Sequence, residues 1–205
     1  MLIFCRACAF HVWHRRLVRE ERLIKHLPLW QPASLLLLVS ALAVVFQTHA
    51  QASVRSEYEL KAAFLYNFTR FVSWQRSPDG AETDLNLCVF GDDPFEELLA
   101  PIEGRSAQGR TINLKYPSQL IDITDCSVVF VSQSEVRRLP QLITAAGESD
   151  QLTVSDIPDF ARQGGVIGYV QQGNVIRFEI NLRAAEASNL TIDSRLLELA
   201  VRVIQ

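Results

Sequence analysis

Histidine is missing from residues 53–205, because all four histidines of the chain stand before them, at His11, His14, His26 and His49. Without histidine, this part of the chain has no Ser-His-Asp or Cys-His catalytic unit and no imidazole ligand for a metal ion. Carboxylates are plentiful enough for acid–base chemistry in a cleft, but their spacing selects no pair. The sequence therefore predicts a protein that is not an enzyme and that needs no metal and no cofactor.

Lysine is also scarce, since Lys61 and Lys115 are the only lysines of residues 53–205. This stretch holds 14 basic and 21 acidic side chains, a net charge of −7. Binding to a phosphate backbone requires clustered Lys and Arg side chains. The charge therefore excludes nucleic acid as the expected partner.

Cysteine is limited to Cys88 and Cys126 in the same stretch. Cys88 lies in the first predicted strand of a doubly wound sheet and Cys126 just before the third, and such strands can be neighbours. The two thiols can then form a disulfide in an oxidising compartment, or remain as two small buried hydrophobic groups. The other pair, Cys5 and Cys8, has the spacing of half a zinc site but lacks a second pair, so it predicts no metal site.

The first 52 residues have the three parts of a secretory signal. A basic lead precedes an apolar run from Ala33 to Phe46, and small residues follow at Ala50 and Ala52. An uncleaved anchor is the alternative, although the apolar run spans roughly 21 Å and a bilayer core roughly 30 Å. We predict a signal peptide over residues 1–52 and a single periplasmic domain over residues 53–205, which does not span the membrane after cleavage.

The domain alternates apolar runs with helical patterns, which indicates a mainly parallel sheet covered on both faces. The predicted strands are Leu85–Phe90, Thr111–Tyr116, Ser127–Val131 and Leu152–Val154, and a hairpin joins Gly165–Val170 to Asn174–Ile180. The predicted helices are Ser56–Trp74, with a Ser56–Glu59 capping box, Pro94–Leu99, Glu135–Ala146, Leu182–Ser188 and Ser194–Ile204. The predicted fold class is α/β: one domain, a mostly parallel sheet flanked by helices on both faces, and a C-terminal antiparallel hairpin.

Asp92 and Asp93 follow the first predicted strand, where phosphoreceiver domains hold magnesium with paired acids. Such domains also need an aspartate after the third strand and a lysine after the fifth, and both are missing. We therefore interpret the two acids as the turn and cap of the helix at Pro94, because negative charge there complements the helix dipole.

Four blocks of sequence follow one another in the order of a known family. They are Lys61–Phe68 with Phe71 and Trp74, Cys88–Phe95, Leu152–Asp156 with Phe160 and Gly164–Gly165, and Arg177–Asn181 with Ser194–Ala200. The matches run in order from Glu57 to Val203, so that they span nearly all of residues 53–205, and together they resemble the YfiR-like periplasmic family.

This resemblance implies a periplasmic repressor that binds the periplasmic sensor region of an inner-membrane diguanylate cyclase and lowers cyclic-di-GMP signalling. It also implies homodimers and disulfide bonds. Cys88 and Cys126 match one family cysteine pair. The family's second pair falls near Phe160–Gly168, which holds no cysteine here, so redox sensing through that pair is excluded.

Three residues of the C-terminal region, Phe160, Ile167 and Glu179, are the predicted contacts with this partner. Alternation along a strand places Glu179 on the face opposite Phe178, where we expect it to be exposed. The alternative function is a periplasmic small-ligand-binding or envelope accessory protein that has no cyclase partner.

Overall fold

The computed structural model describes residues 54–74, 84–147 and 149–205. The predicted signal peptide lies outside these ranges. Within them, no helix is both long and apolar enough to cross a membrane.

Strands and helices alternate along most of the described chain. The strands are β1 Val72–Trp74, β2 Leu85–Phe90, β3 Ser106–Ala107, β4 Arg110–Lys115, β5 Val128–Val131, β6 Leu152–Ser155, β7 Ile167–Gln172, β8 Val175–Asn181, β9 Leu190–Ile192 and β10 Arg202–Ile204. The α-helices are α1 over residues 54–71, α2 Leu139–Gly147, α3 Leu182–Ala187 and α4 Ser194–Leu199. Three 3₁₀ helices cover Glu96–Ile102, Leu120–Asp125 and Gln133–Arg138.

Eight of these strands form one mixed sheet, in the order β10-β8-β7-β6-β5-β2-β4-β3. Neighbouring strands run parallel except at β7–β8 and β3–β4. The pair β7–β8 is the predicted hairpin, and Gly173 occupies its turn with a φ of +61°, a conformation that glycine adopts without steric cost. β1 and β9 form a separate antiparallel pair.

Two hydrophobic cores lie on opposite faces of the sheet. Because side chains alternate along a strand, Val89 of β2 faces one core and Cys88 the other. Helix α1 packs Leu65 and Phe68 into the first core, and α2 packs Leu142 into the second. The predicted α/β class, with helices on both faces, is therefore confirmed.

The structure corrects the predicted first helix at both ends. Helix α1 already includes residue 54, so Ser56 lies inside the helix and the predicted capping box does not begin it. At the other end α1 stops at residue 71, because residues 72–74 pair with β9 and form β1.

The C-terminal helix is also shorter than predicted. Asp193 caps the start of this helix, because its Oδ1 accepts a hydrogen bond of 2.9 Å from the amide of Arg195. The helix ends at Leu199, and the chain then extends as β10, parallel to β8. The spacing of Ala200, Val203 and Ile204 fits one helix face, but backbone pairing with β8 decides the conformation.

Two more predicted helices differ in type or extent. The helix predicted from Pro94 is a 3₁₀ helix that begins at Glu96. Asp93 caps the turn before this helix, because its Oδ1 accepts a hydrogen bond of 2.8 Å from the amide of Phe95. The helix predicted over Glu135–Ala146 is a 3₁₀ helix followed by α2.

Candidate functional site

The predicted contact residues Phe160 and Ile167 lie inside the protein. They are 1% and 0% exposed, and Phe160 belongs to the second core while Ile167 belongs to the first. Gly165 packs so closely on the Phe160 ring that a Cβ atom at position 165 would overlap it. Both side chains pack in the hydrophobic cores, and neither is accessible to a partner in this structure.

Glu179 is buried as well, which corrects the expectation of an exposed strand residue. It is 7% exposed because β10 lies beside β8 and places Arg202 in register with it. The Arg202 Nε atom is 3.5 Å from Glu179 Oε1. Sequence reasoning missed this burial because it treated residues 202–204 as helix, although the β-branched residues Val201, Val203 and Ile204 were a strand signal.

Charge reversal at Glu179 should therefore destabilise the fold. Glu179→Arg places a second guanidinium group at a buried position beside the half-exposed Arg202, and we expect the free energy of unfolding to fall by about 1–3 kcal/mol. Denaturant unfolding of the variant measures this loss. Arg177→Glu, at an exposed position of the same strand, is the matched control, with an expected change within about 0.5 kcal/mol.

The double variant Glu179→Arg with Arg202→Glu should recover part of the lost stability, because the ion pair is restored with reversed signs. If Glu179→Arg is as stable as the wild-type protein, the Glu179–Arg202 pair does not contribute to the stability of the fold.

Cys88 and Cys126 form a disulfide in the structure, with their Cα atoms 5.9 Å apart. Cys88 lies in β2 and Cys126 precedes β5, the strand that pairs with β2 in parallel. Both residues are buried in the second core. The bond therefore joins two central strands across 38 residues of chain.

A buried ionic cluster lies where β6 ends and α1 crosses it. Lys61 Nζ is 2.6 Å from Asp156 Oδ2 and 2.5 Å from Glu57 Oε1. The side chains of Lys61 and Asp156 are only 4% and 5% exposed. The Tyr58 hydroxyl donates to the same Asp156 oxygen at 2.8 Å, and the ammonium lies 4.1 Å from the centre of the Tyr58 ring.

Two tyrosines beside this cluster have raised pKa values. Burial, reinforced by the hydrogen bond to Asp156 and its charge, raises the pKa of Tyr58 above its usual value of 10.0. Burial also raises the pKa of Tyr169, whose hydroxyl donates to the Lys61 carbonyl at 2.7 Å. The cluster was missed from sequence because Lys61 and Asp156 are 95 residues apart and stand in two separate sequence blocks, neither of which indicates that the two side chains meet.

We expect the protein to lose stability at alkaline pH. A tyrosine whose pKa is raised by folding contributes its full stabilisation below its unfolded pKa of about 10 and loses it as the pH rises above that value. The free energy of unfolding, measured at increasing pH, should therefore fall above about pH 10. For the Tyr58→Phe variant, the free energy of unfolding should fall less steeply with pH in this range. Equal slopes for the variant and the wild-type protein would show that ionisation of Tyr58 does not cause the loss.

A polar cavity of about 560 Å³ opens at the other end of the parallel strands. Asn86, Ser127 and Gln151, at the amino ends of β2, β5 and β6, line it together with Arg110 and Cys126 of the disulfide. Arg110 donates at 3.0 Å to Ser127 Oγ, and burial lowers the pKa of its guanidinium group. Sequence reasoning assigned a site to none of these residues except Cys126, because the cavity joins segments that are distant in the chain.

A metal site is not evident in the part of the chain that the structure describes, because no three His, Cys, Asp or Glu side chains there are grouped closely enough. The cavity wall offers amides, carboxylates and two cationic side chains for hydrogen bonds and charge interactions.

The comparison with solved structures gives distant likenesses. One is the ABC domain in complex with L-Trp from Streptococcus pneumonia, at 12% identity and a TM-score of 0.44, covering 58% of this chain and 55% of that one. Another is a conserved domain protein from Vibrio cholerae O1 biovar El Tor, at 13% identity and a TM-score of 0.43, covering 58% and 54%. The chain thus spans about half the length of each.

No curated protein matches the sequence of this chain. The family model described as YfiR/HmsC-like, DUF4154, matches residues 58–201. This range runs from α1 to the residue before β10 and includes both cores, the disulfide and, of the buried ionic cluster, Tyr58, Lys61 and Asp156. The chain therefore belongs to the YfiR/HmsC-like family.

Proposed function

We propose that this protein is a periplasmic regulator that binds the periplasmic sensor region of an inner-membrane diguanylate cyclase and represses it, which lowers cyclic-di-GMP signalling. The observation that carries the proposal is the family match over residues 58–201. The Cys88–Cys126 disulfide supports a periplasmic location, because such bonds persist in oxidising compartments.

Repression of this kind acts through differential binding. A regulator that binds only the inactive state of the cyclase shifts the equilibrium towards that state. At a concentration of 100 times its Kd, the shift is about 2.7 kcal/mol, close to a hundredfold change in the ratio of the two states. No catalytic group on the regulator is needed for this effect.

The edge of the sheet beside the Glu179–Arg202 pair is the surface that we assign to the cyclase. β10 is the outermost strand there, and the residues before it, Leu199 and Val201, are 59% and 37% exposed. Leu199 ends α4 and Val201 directly precedes β10, and exposed apolar side chains beside a strand edge suit an extended segment of a partner. The proposed interface therefore stays in the C-terminal region, but its contacts are the exposed residues Leu199 and Val201 instead of the buried residues predicted from sequence.

Leu199→Asp should weaken binding to the isolated periplasmic domain of the cyclase by about tenfold or more, because a charge would enter an apolar contact. Titration of the two purified proteins gives the Kd, and a thermal unfolding curve shows whether the variant folds. Val136→Asp is the matched control, since Val136 is 51% exposed and lies on the 3₁₀ helix Gln133–Arg138.

If the folded Leu199→Asp variant binds as tightly as the wild-type protein, this edge is not the interface. If the wild-type protein does not bind the cyclase domain at all, the proposed function itself fails.

A further inference from the structure

Three arginines and two aromatic rings alternate along the surface at the end of α1. The guanidinium carbons of Arg105 and Arg70 lie 4.8 and 5.9 Å from the centre of the Tyr66 ring. The guanidinium carbons of Arg70 and Arg195 lie 6.0 and 5.0 Å from the centre of the Phe71 ring. The three arginines are exposed, and the two rings are half-buried. We call this surface the arginine–aromatic row.

The fold holds the two rings of the row in place. Both rings pack against the first hydrophobic core, and the Tyr66 hydroxyl donates to the Ser106 carbonyl oxygen at 3.3 Å. Arg70 follows Tyr66 by four positions in α1, which places the two side chains on the same stripe of the helix. A guanidinium group is attracted to the face of such a fixed ring. It therefore loses less conformational freedom when it binds a partner.

Arg70 and Arg105 form no ion pair with any residue that the structure describes. Arg195 differs, because its Nη2 atom donates to Asp193 Oδ2 at 2.7 Å. A guanidinium group carries five N–H donors and no acceptor, and contact of its face with a ring leaves these donors at its edge. The two groups that flank Tyr66 therefore have donors available for acidic oxygen atoms.

The charge of the whole domain favours a narrow anionic partner over a broad one. Residues 53–205 carry a net charge of −7, and the acidic Glu103 stands close to Arg105 in the sequence. An anionic bilayer is broad, so it would also meet this acidic surrounding, because charges interact over a Debye length of about 8 Å at physiological salt. A short acidic segment of a protein contacts the row alone.

We propose that the arginine–aromatic row binds an extended acidic segment of a partner protein, whose carboxylates accept hydrogen bonds from Arg70 and Arg105. The N–H donors of a guanidinium group match the two oxygens of a carboxylate. Alternate side chains of an extended segment lie on the same side, roughly 7 Å apart, so acidic residues at alternate positions reach both guanidinium groups. The row is separate from the edge assigned to the cyclase, since it does not include Leu199 or Val201.

Fluorescence anisotropy tests the proposal with the purified, disulfide-bonded protein. The probe is a heptapeptide in which Glu alternates with Thr, labelled with an uncharged fluorophore, and the comparison peptide has Gln in place of each Glu. At physiological ionic strength we expect the Glu peptide to bind at least about tenfold more tightly, because only its carboxylates form charge-assisted hydrogen bonds. At 1 M salt, where the Debye length is about 3 Å, most of this difference should disappear.

The double variant Arg70→Gln, Arg105→Gln should bind the Glu peptide at least about tenfold more weakly than the wild-type protein, because both guanidinium groups are lost while the rings remain. The matched control is the double variant Arg177→Gln, Arg183→Gln, which removes the same charge from two other exposed positions. Its effect should stay within about twofold. Thermal unfolding curves show whether the variants fold, and each single variant of the row should show part of the loss.

Three results would overturn the proposal. They are equal binding of the Glu and Gln peptides, equal effects of the two double variants, and binding to vesicles of phosphatidylglycerol and phosphatidylcholine without binding to the Glu peptide. The last result would assign the row to a membrane surface instead. None of these measurements contains a cyclase, so this proposal and the proposed function fail separately.

Discussion

Lys61→Met should lower the free energy of unfolding by about 3–5 kcal/mol, because it leaves the buried Asp156 carboxylate without its cation. The lysine side chain is 4% exposed and its ammonium is 2.6 Å from Asp156 Oδ2. The second carboxylate oxygen, Asp156 Oδ1, is buried without a hydrogen-bond partner among the described residues. Little else is therefore available to stabilise the charge, apart from the Tyr58 hydroxyl.

Denaturant unfolding of the purified domain measures this loss, and Lys115→Met is the matched control. Lys115 is the other lysine of residues 53–205 and is exposed, so its replacement should change stability by no more than about 0.5 kcal/mol. The double variant Lys61→Met with Asp156→Leu should recover most of the loss, because an apolar pair of similar volume often replaces a buried ion pair at little cost. A Lys61→Met variant as stable as Lys115→Met would show that the cluster contributes nothing to stability.

Removal of the disulfide is the second change with a large expected effect. The bond closes a loop of 38 residues, and loop-closure entropy predicts that the Cys88→Ala, Cys126→Ala double variant loses roughly 3–4 kcal/mol. The same loss should appear when the wild-type protein is unfolded in the presence of a thiol reductant, whereas the double variant should not respond to the reductant.

Exported protein should contain no free thiol at Cys88 or Cys126, while protein made in the cytosol should contain both. Thiol counting under denaturing conditions distinguishes the two states. Two free thiols in protein recovered from the periplasm would contradict the disulfide as the native state.

The sheet was predictable because its strands carry local signals. Val128–Val131 is a continuous apolar run, as expected of a strand covered on both faces, and all four residues are buried. The hairpin was marked by Gly173 between two extended segments. These features depend on residues close together in the sequence, and the structure confirms the class of fold that they predict.

The remaining features depend on pairing between distant segments. Residues 72–74 fit the helical spacing of α1 but pair with β9, and residues 202–204 fit the spacing of α4 but pair with β8. Long-range backbone pairing overrides local propensity in both places. The burial of Glu179 follows from the second of these pairings, so it could not be predicted while β10 was unknown.

The candidate sites were less predictable than the fold for the same reason. Lys61 and Asp156 meet only because α1 crosses the end of β6, and the polar cavity combines the starts of three strands with the turn before β4. A single sequence contains the residue types but not their distances. Cys88 and Cys126 were the exception, since placing them at neighbouring strands was enough to bring them within reach.

Repression of a membrane diguanylate cyclase from the periplasm is the function that we propose for this protein. The most direct measurement is the cyclic-di-GMP content of cells that carry the cyclase, with the full chain exported and with residues 1–52 deleted so that the domain stays in the cytosol. Relative to cells that carry the cyclase alone, we expect a lower cyclic-di-GMP content with the exported chain and no change with the cytosolic domain. An unchanged cyclic-di-GMP content in cells whose periplasm contains the folded, disulfide-bonded protein would contradict it.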